Sequence, residues 1–185
     1  MYFESLKELV MARRTDMMVD KERALEDGAI EKLCDLAMWA PNHKLTFPWM
    51  FAAVSGDARE RLSNCVADAM AREGDKPEKV LKARTKFQRA PVILIVGTGQ
   101  GDTQLRTEEN RDAVAAGIQN ILLGATSLGL ASFWSSCPKG VNDDVANFCD
   151  FKLGTHITAM IYLGHPERQA PSIERPPATI KSISN

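Results

Sequence analysis

No CxxC pair occurs in the sequence, and its four cysteines, Cys34, Cys65, Cys137 and Cys149, lie far apart. That spacing supports neither a zinc framework nor a disulfide scaffold, and it suits a reducing cytoplasm. Positive charge is not in excess: 23 Lys and Arg stand against 24 Asp and Glu. Nothing therefore offers the electrostatic footprint that a nucleic-acid backbone requires. No apolar run approaches the ~20 residues of a membrane span. Glu4, Lys7 and Glu8 interrupt the apolar residues at the start, so the continuous apolar core of a signal peptide is missing too. The expectation is a cytoplasmic protein with neither a nucleic-acid nor a membrane partner. Internal repeats and low-complexity blocks are also absent.

What is present is 185 residues, 44% of them hydrophobic, which suffices for a single domain over 1–185 with a real core. Phe3, Leu6 and Val10 recur at three and four and predict a helix over 2–12. It ends in Arg13-Arg14-Thr15. A cation pair at a helix C-terminus suits the macrodipole; two forked guanidiniums beside a hydroxyl also make a phosphate clamp. After a loop, Asp27 is the expected cap of a helix reaching about Trp39, with Ala29, Leu33, Leu36, Ala37 and Ala40 as its buried stripe.

The next segment, Ala40 to Trp49, carries the most local information. Pro41 and Pro48 keep it out of helix and restrict the backbone at both ends. Between them lie an amide, an imidazole and an ammonium: Asn42, His43 and Lys44. A stiff loop with polar groups at set positions suits a flat polar ligand; it also serves as a helix-to-strand connection with Trp49 in the core. A strand follows to about Ser55.

Two helices are expected over roughly 58–72 and 77–88, the second with Pro77 in its first turn. Their many charges read as a solvated outer layer and as a candidate lid. Val92 to Val96 is apolar on both faces and should be the central strand. Gly97-Thr98-Gly99-Gln100-Gly101 after it is half of a dinucleotide-binding turn, with its third glycine one position early. The longest helix is expected over 107–129. Ala113, Gly117, Asn120 and Gly124 form a small-residue stripe on it, suited to close packing inside the core or across a two-fold axis, and Gly129 is its expected C-cap. A strand over 131–136, a short helix over 141–149 capped by Asn142, and a strand over 156–163 complete the order. The tail from Glu167, with Pro171, Pro176 and Pro177, should be extended. This is an α+β chain: a small central sheet flanked by helices.

Five segments, taken together and in order, resemble the FMN-dependent nitroreductase-like family. They are Arg13-Arg14-Thr15; Ala40-Pro41-Asn42-His43-Lys44 followed by Pro48-Trp49; Leu128-Gly129; Phe133-Trp134-Ser135-Ser136; and Tyr162-Leu163-Gly164-His165-Pro166. The Ala-Pro-x-His-Lys form is most similar to the short, YdjA-like branch. The resemblance implies a nitroreductase-like homodimer with two FMN sites at the subunit interface. It implies that Arg13, Arg14 and Thr15 hold the phosphate and ribityl chain, and that Trp39 and His43 contact FMN from the first loop. By the same resemblance Trp134, Ser135 and Ser136 would border it at the strand end, and Arg175 would be a second phosphate arginine. It further implies NADH or NADPH as reductant, with ping-pong hydride transfer through flavin N5 to a small electron-poor acceptor such as a nitroarene or a quinone.

The chain departs from the family pattern at four of these positions. Thr15 replaces a serine, Trp39 stands where close relatives carry arginine, Phe47 replaces glutamine before Pro48, and Ser135 lacks the arginine that some relatives carry after the tryptophan. No metal and no catalytic acid or base is assigned; His43 is the titratable group to test. Two other readings stay open at this level: a flavin-binding module without turnover, and a Rossmann-type nucleotide-binding protein using Gly97 to Gly101.

Overall fold

Val92 to Val96 can bury every side chain only in the middle of a covered sheet. In the computed structural model, which describes residues 2–184, β3 (Val92–Thr98) is buried along its whole length. It is flanked by β2 (Trp49–Ser55) and β5 (His156–Pro166), both antiparallel to it. β4 (Ala131–Ser135) and the two-residue β1 (Val19–Asp20) also pair with β5, again antiparallel. With both neighbours of β3 antiparallel, Gly97 to Gly101 does not open a parallel βαβ unit, and the Rossmann-type reading is set aside.

Alternation along β3 sends its side chains into two cores. Leu94 and Val96 join Leu33, Trp49, Ile118 and Ile161 under α2 (Ala29–Ala37) and α5 (Gln104–Ser127). Ile93 and Ile95 join Leu62, Val66, Phe87 and Tyr162 under α3 (Ala58–Arg72), α4 (Pro77–Lys86) and α6 (Asn142–Phe148). The small-residue stripe of α5 serves the first core. A Cβ at Gly117 would lie 2.6 Å from Trp49 Nε1 and 2.9 Å from the Ala37 carbonyl, and one at Gly124 would lie 2.6 Å from Leu36. The helices α2 and α5 can approach this closely only because those side chains are missing.

The charged pair α3 and α4 is not a lid. Leu62, Ser63, Val66, Ala67, Ala69 and Met70 of α3 are buried, and Phe87, just after α4, stacks on Tyr162 at 6.0 Å between ring centroids. These helices are a wall of the second core, charged on the outside. Two expected caps also differ. Gly28, at φ 75°, precedes α2, and Asp27 makes no side-chain cap. Asn142 instead accepts from the Ile157 N–H at 2.7 Å and donates to the Thr155 carbonyl at 2.9 Å, tying α6 to the start of β5. The long helix begins three residues earlier than its apolar spacing suggests, because Thr103 Oγ1 caps the Arg106 N–H at 3.1 Å.

α1 (Phe3–Ala12) has no buried residue in this chain. From Gln169 the tail makes no regular secondary structure and is largely exposed to Ser184. Among the described residues no helix is long and apolar enough to cross a membrane.

Candidate functional site

The C-terminal end of α1 and the distant tail meet through Arg14. Its guanidinium donates to the carbonyls of Met11 and Arg13, which belong to the last turn of α1 and the residue after it, and Nε donates to the Pro171 carbonyl at 3.2 Å. With the tail held there, Arg175 comes close to Arg13. Burial first, then the charges of Arg175 and Arg14, hold the Arg13 pKa below its ordinary value. Among the described residues, neither Arg13 nor Arg175 takes part in an ion pair. Val10, Met11, Arg14, Ile173, Glu174 and Arg175 line a cavity of about 430 Å³ here. Three guanidiniums in one place with so little opposing charge favour an anion, and a phosphate matches their forked donors.

Thr15 continues from this cluster along the sheet. It forms a parallel bridge with Ser132, and the Asp16 N–H donates to the Ser132 carbonyl at 3.1 Å. That bond lies on the edge of β4 away from β5. By strand alternation the N–H and C=O of Trp134 point to the same edge, where no strand covers them. Open edge amides of this kind suit the polar rim of a flat heterocycle. Trp134 is exposed, with Nε1 donating to the Thr158 carbonyl at 3.3 Å, and Ser136 is exposed beyond it. Ser135 differs: its side chain is buried on the opposite face, where Oγ accepts from Lys86 Nζ at 3.2 Å.

The first loop lies elsewhere. His43 and Leu45 bound a short 3-10 turn, and Lys44, Leu45 and Phe47 all adopt positive φ. Such strain in non-glycine residues marks a loop held by its surroundings. Asn42 Oδ1 accepts from the Phe47 N–H at 2.8 Å, and Thr46 Oγ1 donates to the buried Asn110 at 2.7 Å. His43 Nδ1 sits 2.9 Å from Glu109 Oε1 and 3.2 Å from Arg106, near the start of α5. Trp49 packs in the core, whereas Trp39 is 86% exposed.

The structure therefore brings Arg13, Arg14, Thr15 and Arg175 together near the start of β4 and the C-terminal end of α5, and sets Trp39 and His43 toward its N-terminal half. Trp134 and Ser136 lie between, because β4 runs back along the sheet and the Trp134 indole reaches Thr158, next to Thr98. A helix rises about 1.5 Å per residue, so roughly 25–30 Å of α5 separates Glu109 from the turn before β4. Apolar side chains are exposed on and just before α1 (Tyr2, Phe3 and Met11) and on and around the first loop (Met38, Leu45 and Phe47). Arg106 and Glu109, which hold His43, and Lys86, which holds Ser135, carry no sequence signal. Each is distant in sequence from its partner, and only the fold makes the pair.

The Nitroreductase family model matches residues 10–165, most of the chain. The chain belongs to the Nitroreductase family. Two curated relatives are each 25% identical to it. "Putative NAD(P)H nitroreductase YfhC" of Bacillus subtilis (strain 168) aligns over 92% of this chain and 88% of its own. "Putative NAD(P)H nitroreductase YdjA" of Escherichia coli (strain K12) aligns over 88% and 89%. The crystal structure of a nitroreductase-like family protein from Bacillus cereus superposes with a TM-score of 0.76 at 25% identity, covering 93% of this chain and 91% of that one. A nitroreductase with bound FMN from Bacteroides fragilis NCTC 9343 superposes with a TM-score of 0.73 at 20% identity, covering 97% and 98%. The nitroreductase-like α+β fold is thus established, and with it an oxidoreductase family. Of the expected site residues only Arg175 lies outside the segment matched to the Nitroreductase family.

Proposed function

We propose that this chain is an FMN-dependent NAD(P)H oxidoreductase that reduces small electron-poor acceptors, and that it works as a homodimer with two flavin sites. The observation that carries the reading is the meeting of Arg13, Arg14 and Arg175 beside the open edge of β4. In this reading the guanidiniums hold the phosphate and Thr15 donates to the ribityl chain. The Trp134 backbone and Ser136 receive the ring, and Ser135 supports that strand end from below. Bound FMN supplies the two-electron chemistry between a nicotinamide and an acceptor; the protein's share is binding, orientation and exclusion of water.

His43 cannot reach the arginine cluster within one chain, because most of the length of α5 lies between Glu109, which holds it, and the start of β4, and Trp39 lies on the same side of that span as His43. A two-fold arrangement brings the first loop of one protomer to the arginine cluster of the other and covers the exposed apolar faces of α1 and the loop. The arrangement of His43 with Glu109 and Arg106 then fixes its ring toward the partner's flavin.

The test is an absorbance spectrum of the purified protein with FMN, taken anaerobically before and after NAD(P)H. A bound flavin spectrum that bleaches on addition of reductant is expected. Failure to take up FMN in excess overturns the reading. Uptake without bleaching makes the protein a flavin-binding module instead.

A further inference from the structure

A second cationic cluster lies on the opposite face of the sheet from Trp134. Lys79, Lys82 and Lys86 recur at three and four residues, on one face of α4, and Arg89 follows in the next turn. Lys82, Lys86 and Arg89 line a cleft of about 290 Å³ together with Met70 and Pro138, over the fully buried Val66. Lys79 pairs with Asp75 at 3.8 Å. Among the described residues, no carboxylate pairs with the other three. Like charges one turn apart repel, so this stripe is unfavourable unless something compensates it.

Lys86 is the most constrained of the three. It is half-buried, donates to Ser135 Oγ at 3.2 Å, and lies 5.8 Å from the centroid of the Phe87 ring. Burial first, then the charge of Arg89, hold its pKa below the ordinary lysine value. A desolvated ammonium bonded to one neutral hydroxyl lacks the anion that would stabilise it. The cleft thus joins an apolar floor to a rim of one sign of charge.

We propose that this cleft binds an aromatic monocarboxylate, with the ring on Met70 and Pro138 and the carboxylate held by Lys82, Lys86 and Arg89. The apolar floor selects against a free inorganic anion, which would leave it uncovered. The three cations select against a neutral aromatic, which would leave them unpaired. Ser135 ties the cleft to the strand end that bears Trp134 and Ser136, while the cleft itself opens on the other face of the sheet. It is therefore a binding site separate from the proposed flavin site, and it does not depend on the reductase reading.

The test is isothermal titration of the full-length purified protein with benzoate and with its neutral isostere, benzyl alcohol. Benzoate should bind at least about tenfold more tightly, the scale of a charge-assisted hydrogen bond. Lys82→Ala and Arg89→Ala, both at exposed positions that tolerate truncation, should each weaken benzoate severalfold and leave benzyl alcohol unchanged. Lys86→Met should abolish the preference. Equal affinities for the two ligands, or a preference that survives all three substitutions, overturn the site.

Discussion

Arg14 Nε holds the carbonyl of Pro171 at 3.2 Å across 157 residues of sequence. The two adjacent arginines therefore have different tasks. Arg14 closes the end of α1 and anchors the tail, while Arg13 faces Arg175 with its charge uncompensated. Arg13→Ala and Arg175→Ala should each weaken FMN binding by about 10- to 100-fold, since a charge-assisted bond contributes about 1.5–3 kcal/mol. Arg14→Ala should in addition free the tail. Fluorescence titration measures the first effect, and amide exchange over residues 169–176 should quicken only in the Arg14 variant.

The separation of the two half-sites along α5 predicts complementation between chains. Homodimers of Arg13→Ala and homodimers of His43→Ala each have two damaged sites. A heterodimer of the two variants has one site with both lesions and one with none. Flavin content near one per heterodimer, well above either parent, is the expected result. Content no higher than the parents' would place both halves of each site in one chain.

The thiols give a pH prediction with a definite sign. Burial pushes Cys137 and Cys149 up to about 12 and Cys34 up to about 11. In the unfolded chain a thiol ionises at about 8.5. Their contribution to stability is therefore complete below about pH 8 and declines as the pH rises toward the folded values, because only the unfolded chain readily loses the proton. Urea midpoints should fall between pH 8 and pH 10. A thiol-disulfide exchange reagent at pH 8 should label these cysteines slowly in the folded protein and rapidly in urea.

Gly117 tests the packing that fixes the loop's position. Alanine there would place its Cβ 2.6 Å from Trp49 Nε1 and 2.9 Å from the Ala37 carbonyl, and only backbone movement relieves the second contact. A loss of about 1–3 kcal/mol is expected, read as a lower urea midpoint. A surface glycine such as Gly56, whose Cβ would meet nothing within 4 Å but whose φ is 54°, should show only the backbone cost of about 1 kcal/mol.

Much of the fold was legible in the amino-acid order. β3 declared itself by five consecutive branched apolar residues, and α5 by its period and its glycines. Asp27 misled because a carboxylate before an apolar run usually caps a helix, whereas Gly28 in the left-handed region turns the chain into α2 instead. The α3 and α4 pair misled because charge on a helix marks only its outer face. Whether the inner face covers a core depends on what lies beneath, here Phe87, Val66 and Tyr162.

The candidate site divides in the same way. Residue type and spacing alone marked Arg13, Arg14, the Pro41 to Pro48 loop and Trp134 as groups able to meet a flat anionic ligand, since forked donors, fixed φ and aromatic faces are properties of residues. Only the tertiary structure decided that Arg175 joins Arg13, that His43 belongs to Glu109 at the far end of α5, and that Ser135 turns to Lys86. Those pairings span long stretches of chain, and their closeness is set by how the helices pack on the sheet, which no local pattern encodes.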